Sequence, residues 1–334
     1  MTKKTPTRNY ALDIFRIIAC AAVVTCHASG GIIDRYHLLP GTSDFMQCIL
    51  ISCLHRWDIS FFLMLTGFFM LNPQKQTTIR GLFSNNILRM FLSLVFWGLF
   101  YGLMFGRPLY PVGAPQEGHL WYLGMILGVY LALPILRAIA GNSSLLKYTL
   151  TIWGAAVLYR FLGCFVTLPI DFFDTIFVDY ACCVLLGYYL RTIFENRTGT
   201  ARIKWAARAV YAAGIAGLIL TIGMSMALQN DTNAFHNFFA PNVLATAAAA
   251  LVFCLRHPIT LKGKAAALVE NCSKCTFGIY LMHVFFLAHI CTRVYRFVPQ
   301  PVLMTAISVC AAFVASYAAT LLLRKIPFFN KYFI

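Results

Sequence analysis

Charge is what this sequence has least of. Only 11% of its 334 residues are Asp, Glu, Lys or Arg, against about a quarter in an ordinary soluble domain. Acidic residues are the scarcest, 11 beside 27 Lys and Arg. A chain this poor in charge and 60% apolar cannot clothe a water-soluble globule. No glycine-rich phosphate loop, H-E-x-x-H or G-x-S-x-G occurs, so the local signatures of P-loop enzymes, zinc proteases and serine hydrolases do not apply. C-x-x-C occurs once, at Cys272 and Cys275 around Lys274. Without a second pair or a nearby His it does not indicate a zinc or redox site. No internal repeat, low-complexity tract or interdomain linker interrupts the chain, which reads as a single domain over residues 1–334.

What fills the sequence instead is a succession of apolar stretches of membrane-spanning length, about 18 residues or more each. They predict spans at 11–33, 47–71, 86–106, 119–139, 146–168, 174–194, 205–228, 238–256, 275–296 and 300–323. Helices are required, because a lipid-facing backbone must satisfy its own hydrogen bonds and the segments lack the alternation of a barrel strand. The expected fold is therefore all-α, a polytopic membrane protein of about ten helices over 11–324 with tails at 1–10 and 325–334. The first span resembles a signal peptide, with Lys3, Lys4 and Arg8 before it and Cys20 after Ile17, Ile18 and Ala19. Arg16, however, interrupts the required uncharged core, and the apolar run continues to about Ile33, so the segment reads as a retained helix. Most of the 12 cysteines lie inside spans, where Cys behaves as a small hydrophobe, and imply no disulfide framework.

With the amino terminus inside, all but six of the 27 Lys and Arg residues fall in or near cytoplasmic segments, the six being Arg35, Arg56, Arg107, Arg160, Arg293 and Arg296. The positive-inside rule then places both termini in the cytoplasm. The net charge of +16 belongs to short loops between spans, not to one face of a soluble module, which points away from nucleic acid.

Charged and imidazole groups inside spans are costly and usually face the protein interior or a water-filled cavity. Arg16 and His27 are eleven residues apart in the first span, about three turns and ~16 Å at 1.5 Å per residue, hence on nearly one face. Asp13, three residues before Arg16, is placed to hold its guanidinium. Tyr280 and His283 share a face of the ninth span, with His289 further along. Glu117, His119 and Trp121 open the fourth span, and Arg56, Trp57, Asp58 and Ser60 precede Phe61–Gly67 in the second. Read singly, most of these have bland explanations: snorkelling for Arg16, a core histidine for His27 or His283, an interfacial aromatic belt for Trp121 and Tyr122, a surface pair for Asp58 with Arg56. Arg16 and His27 together on one face are harder to explain away.

These clusters resemble acyltransferase family 3, membrane O-acyltransferases that modify bacterial surface glycans and some small molecules. Leu12-Asp13-Ile14-Phe15-Arg16 followed by Val23-Val24-Thr25-Cys26-His27 resembles the family's arginine, ten residues, histidine signature. Phe61-Phe62-Leu63-Met64-Leu65-Thr66-Gly67 resembles its F-F-x-x-S-G run, and His119-Leu120-Trp121-Tyr122-Leu123 and Gly278-Ile279-Tyr280-Leu281-Met282-His283 resemble two further signatures. Thr66 stands for the usual Ser and Phe68 for the usual Tyr, and the paired arginines before the third span become Asn86 and Arg89, with Arg80 upstream. Length and the lack of an appended extracytoplasmic domain most resemble the family's stand-alone members.

The resemblance implies transfer from cytoplasmic acyl-CoA, usually acetyl-CoA, to a hydroxyl of a glycan or lipid-linked saccharide, by a multi-pass protein of the bacterial cytoplasmic membrane. Expected partners are acyl-CoA, that acceptor and the lipid bilayer; no metal and no nucleic acid are expected. Arg16, Arg89 and Arg80 are expected to meet the phosphates of coenzyme A, for which arginine is suited. His27 is the expected base, with Tyr280 or His283 stabilising the oxyanion. Asp58, Glu117, His119 and Trp121 are expected to bind the acceptor or orient the imidazole. The alternative is a transporter or flippase of a lipid-linked sugar or small metabolite, but the broken helices in matching halves that secondary transporters often show are not visible in the sequence.

Overall fold

A computed structural model describes residues 8–74, 78–106, 118–166, 179–195, 200–229, 234–298 and 300–334. Among the described residues there is no strand, and the elements are all helical. They are α1 (Tyr10–Tyr36), α2 (Ser43–His55), α3 (Asp58–Met70), a short turn α4 (Ile79–Gly81), α5 (Leu88–Met104), α6 (Trp121–Gly141), α7 (Ser143–Leu162), α8 (Asp179–Phe194), α9 (Ala201–Leu228), α10 (Pro241–Arg256), α11 (Gly263–Tyr295), α12 (Pro301–Leu323) and α13 (Pro327–Tyr332). Among the described residues eight stretches are long and apolar enough to cross a bilayer, counting α2 with α3 and α4 with α5 as one each. The other two expected spans correspond to α7, which carries Lys147 and Arg160, and to α8, whose described part is 16 residues.

Local chemistry sets the helix ends. Asn9 caps α1 by accepting from the Ala11 amide, and its side chain also donates to the Cys254 carbonyl and accepts from the Ile259 amide. The start of α1 is thereby stapled to the α10–α11 connection. Thr42, Asn142, Thr200 and Gln300 cap α2, α7, α9 and α12 in the same way, each supplying an acceptor to orphan amides of a first turn. Proline opens α10 and α12, where its missing N–H costs nothing.

Three departures from the sequence reading matter. The expected span 47–71 is two helices, interrupted at Arg56 and Trp57, and Asp58 starts the second by accepting from the Ile59 amide at 2.6 Å. A broken helix is therefore present where none was read. The span expected at 275–296 begins at Gly263, so α11 is 33 residues long and carries Glu270, Ser273 and Lys274 beside the beginning of α1. The expected carboxyl-terminal tail, finally, holds α13, folded back on α5: Ser93 Oγ donates to the Tyr332 carbonyl, Trp97 Nε1 donates to the Phe333 carbonyl, and Phe96 packs on Phe329 and Phe333.

α1 is the hub, packed against α2, α3, α10, α11 and α12. The tightest crossing is between α3 and α8. A Cβ on Gly67 would strike the Val184 carbonyl, and one on Gly187 would strike the Met64 backbone. Two glycines facing each other's helices allow the backbone contact that drives association in lipid, where apolar burial supplies little. This crossing holds α3 against the bundle so that its Phe62, Thr66 and Phe69 face α1 across a cavity.

Candidate active site

A cavity of about 740 Å³ runs along one face of α1, within the range of small-molecule sites. Its α1 wall is Arg8, Asn9, Leu12, Asp13, Arg16, Cys20, Val23 and His27, the three- and four-residue spacing of one helical face. From Arg8 to His27 this is roughly 28 Å at 1.5 Å per residue. Arg16 and His27 thus line one continuous space, as their spacing predicts. α3, α5, α6 and α11 supply the other walls, including Phe69, Arg89, Tyr122, Tyr130 and Phe277.

The Arg8 end is cationic, with Arg8, Arg16, Arg89 and Lys274 around it. Asp13 attracts Arg16 through space but makes no hydrogen bond or ion pair with it. Its carboxylate accepts from Arg8 at 2.8 and 3.0 Å and from Ser273 Oγ at 2.7 Å, and this hydrogen bond raises the Arg8 pKa above its ordinary value. Glu270 in turn pairs with Arg8 and Lys274. Arg16 is left over the Phe69 ring at 5.2 Å, with no hydrogen bond or ion pair among the described residues. Arg89 lies over Phe277 at 5.4 Å, and its Nε is buried without a partner. The chain enters α5 through a π-helical turn, Leu82–Ile87, a feature that often re-aims side chains at functional sites. Arg80 is exposed and does not line the cavity.

At the other end three histidines from three elements converge. His27 lies 5.1 Å from His283 and 6.3 Å from His119 between ring centroids, and His119 lies 5.3 Å from His283. His27 exposes its ring to the cavity, whereas His119 is 3% and His283 0% exposed. His283 Nδ1 sits 2.5 Å from the Tyr280 carbonyl and its Nε2 is buried without a partner. Tyr280, which lines the cavity, donates its hydroxyl to the His119 carbonyl. Among the described residues neither ring nitrogen of His119 makes a well-formed hydrogen bond; the Leu281 carbonyl lies beside the ring and already accepts from Tyr101 at 2.8 Å. Tyr101 also meets His119 edge-on at 4.9 Å and accepts from the Phe285 amide.

Trp121 lines the cavity and stacks on Phe238 at 6.0 Å, whose ring also lies 4.1 Å from the Arg56 guanidinium. Arg56 Nε donates to the His236 carbonyl, and among the described residues no hydrogen bond or ion pair joins Arg56 to Asp58, which is 2% exposed and outside the cavity wall. Glu117 lies outside the described residues. His289 hydrogen-bonds the Phe285 carbonyl and takes no part in the cavity. Among the described residues no three His, Cys, Asp or Glu are arranged to hold a metal ion.

An arginine and a histidine at opposite ends of one internal cavity, on one helix, is the arrangement the motifs describe, and a family model for the acyltransferase-3 domain matches residues 9–324. The chain belongs to the acyltransferase-3 family. No curated protein and no solved structure matches it. As an acyltransferase-3 member it keeps Thr66 in the cavity wall, its hydroxyl turned back to the Phe62 carbonyl, and Phe68 beneath the Arg191 guanidinium at 4.6 Å. Both departures from the family pattern are thus accommodated locally. Sequence reasoning missed Tyr130, Phe277 and Tyr101 in this site. Tyr122, Ile126 and Tyr130 all face the cavity at intervals of four, a spacing that could have revealed Tyr130; nothing local marks Tyr101.

Proposed function

We propose that this acyltransferase moves an acyl group, acetyl first, from cytoplasmic acyl-CoA to a hydroxyl of a glycan or lipid-linked saccharide at the bacterial cytoplasmic membrane. Stand-alone members of the family, such as the enterobacterial common antigen O-acetyltransferase, are the pattern for this reading. The observation that carries the reading is the shared cavity: two guanidiniums that form no ion pair among the described residues at one end and a cavity-facing imidazole at the other. Coenzyme A is several phosphates joined to a thioester by a thin arm. Arg16 and Arg89 suit the phosphates, and the length of α1 between Arg16 and His27 suits the arm.

In the proposed reaction His27 accepts the proton of the acceptor hydroxyl as that oxygen attacks the thioester carbon. The C–S bond then breaks, and the departing thiolate takes the proton back from His27. One ester and one free thiol replace one alcohol and one thioester, with no net change of charge. The hydroxyl of Tyr280 is committed to the His119 carbonyl and His283 is walled from the cavity, so neither suits the oxyanion role. His119, at the cavity with no well-formed hydrogen bond on its ring, suits it better, with Tyr280 as its positioning residue. Trp121 offers a flat apolar face to a sugar at this end. Arg80, exposed outside the cavity, contributes to attracting the donor and not to holding it, and Asp58 supports the start of α3.

The test is purified protein in detergent with acetyl-CoA and a membrane glycolipid fraction, following release of free thiol. His27→Ala should lower turnover about 10²- to 10⁴-fold, the usual contribution of a general base, with the protein still inserted. Full turnover in that variant would sink the proposal. The α2–α3 break suits the transporter alternative, and thiol release is the property a transporter lacks.

A further inference from the structure

His283 is deeper than any group the reaction touches, yet it carries an unexplained polar atom. Its Nδ1 faces the Tyr280 carbonyl at 2.5 Å. A carbonyl only accepts, so Nδ1 bears the hydrogen, and in a neutral imidazole Nε2 then holds a lone pair and can only accept. That Nε2 is fully buried and has no hydrogen-bond partner among the described residues. Buried acceptors left unsatisfied are rare and costly.

Three side chains surround it. Tyr280, 5.8 Å away between ring centroids, has given its hydroxyl to His119. His119, at 5.3 Å and nearly perpendicular, lines the cavity and has its one N–H assigned to the oxyanion in the reaction above. His27, at 5.1 Å, is the nearest ring and has no hydrogen-bond partner among the described residues.

We infer that His283 is the positioning residue of the acyl transfer, its Nε2 accepting a hydrogen bond from one ring nitrogen of His27 so that the other nitrogen faces the cavity as a free base. This rests on the acyl-transfer reading given above. The relay runs from the Tyr280 carbonyl through the two rings to the cavity. The hydrogen bond tightens as His27 takes the acceptor's proton, since catalytic hydrogen bonds are often long in the absence of substrate. In serine hydrolases a buried carboxylate fixes the tautomer of the base. Here a neutral ring anchored on a backbone carbonyl does so, without adding a second charge at bilayer depth. The proton never leaves His27 for His283, and no atom beyond those of the transfer reaction is consumed.

The decisive observation uses the unmodified protein in detergent micelles with ¹⁵N-labelled histidine. His283 should be protonated on Nδ1 and hydrogen-bond-accepting on Nε2. Protonation on Nε2 overturns the inference. In turnover, His283→Leu should lose about 10²-fold in kcat with the KM for acetyl-CoA unchanged, and His283→Gln, whose amide oxygen restores an acceptor, should recover at least tenfold of it. Activity of the Leu variant within threefold of the wild type, or equal loss in Leu and Gln variants of equal thermal stability, overturns it too. A fully active His27→Ala protein would instead overturn the acyl-transfer reading, and the tautomer of His283 would still be measured independently of it.

Discussion

Replacing Arg16 with Gln isolates donor recognition from folding. In most internal arginines the substitution would orphan a carboxylate, and the loss would be read as instability. Among the described residues Arg16 has no carboxylate at ion-pair distance: Asp13, which attracts it only through space, is held by Arg8 and Ser273, and the guanidinium rests on Phe69. What the Arg16→Gln variant loses is therefore the charged hydrogen bond to a donor phosphate, worth about 1.5 to 3 kcal/mol, or roughly ten- to a hundred-and-fifty-fold in affinity at about 1.4 kcal/mol per decade. Thermal denaturation of the purified protein with acetyl-CoA reads this directly. At a concentration near a hundred times Kd the ligand stabilises the fold by about 2.7 kcal/mol, and a hundredfold weaker Kd reduces that to about 0.4 kcal/mol. The ligand-free stability should stay close to that of the wild type. Unchanged stabilisation by acetyl-CoA would refute the assignment of Arg16 to the donor, and a collapse of ligand-free stability would refute the statement that it has no structural partner.

Further outcomes follow from the same geometry. Gly67→Ala should separate α3 from α8, because the new methyl meets the Val184 carbonyl; a loss of about 1 to 3 kcal/mol, the common cost of overpacking, is expected in detergent unfolding, and wild-type stability would contradict it. Tyr280→Phe removes the bond to the His119 carbonyl and should lower kcat about fivefold, in line with a net hydrogen-bond contribution of about 1 kcal/mol, leaving the KM for acetyl-CoA unchanged. Deleting 327–334 uncovers Phe96 and strips Ser93 and Trp97 of their carbonyl acceptors; the truncated protein should melt at a lower temperature, and an unaltered melting curve would show that α13 does not secure α5.

What the sequence disclosed was what local rules govern. The eleven-residue interval between Arg16 and His27 placed both on one face whatever the rest of the fold, because α1 is an uninterrupted helix. The partner of Asp13 was misjudged because proximity along the chain favoured Arg16, while Ser273 is 260 residues away. The break at Arg56 and Trp57 carries no Gly or Pro to announce it, and the π-helical turn before Arg89 has no sequence mark. Arg80 was grouped with Arg89, but Arg80 lies before the π-helical turn and is exposed, outside the cavity wall, whereas Arg89 follows the turn and lines the cavity. The meeting of His27, His119 and His283 belongs to the packing of α1, the 3-10 turn before α6, and α11, and could not be read from any one of them.

The most direct test of the account is a structure of the protein with a non-hydrolysable acetyl-CoA analogue bound. The account places the phosphates against Arg16 and Arg89 and the thioester carbon within about 4 to 6 Å of the His27 ring, leaving an acceptor oxygen room at about 3 to 3.5 Å from the carbon it attacks. An acyl group lodged away from His27, with that cavity filled by lipid or packed shut, would contradict it.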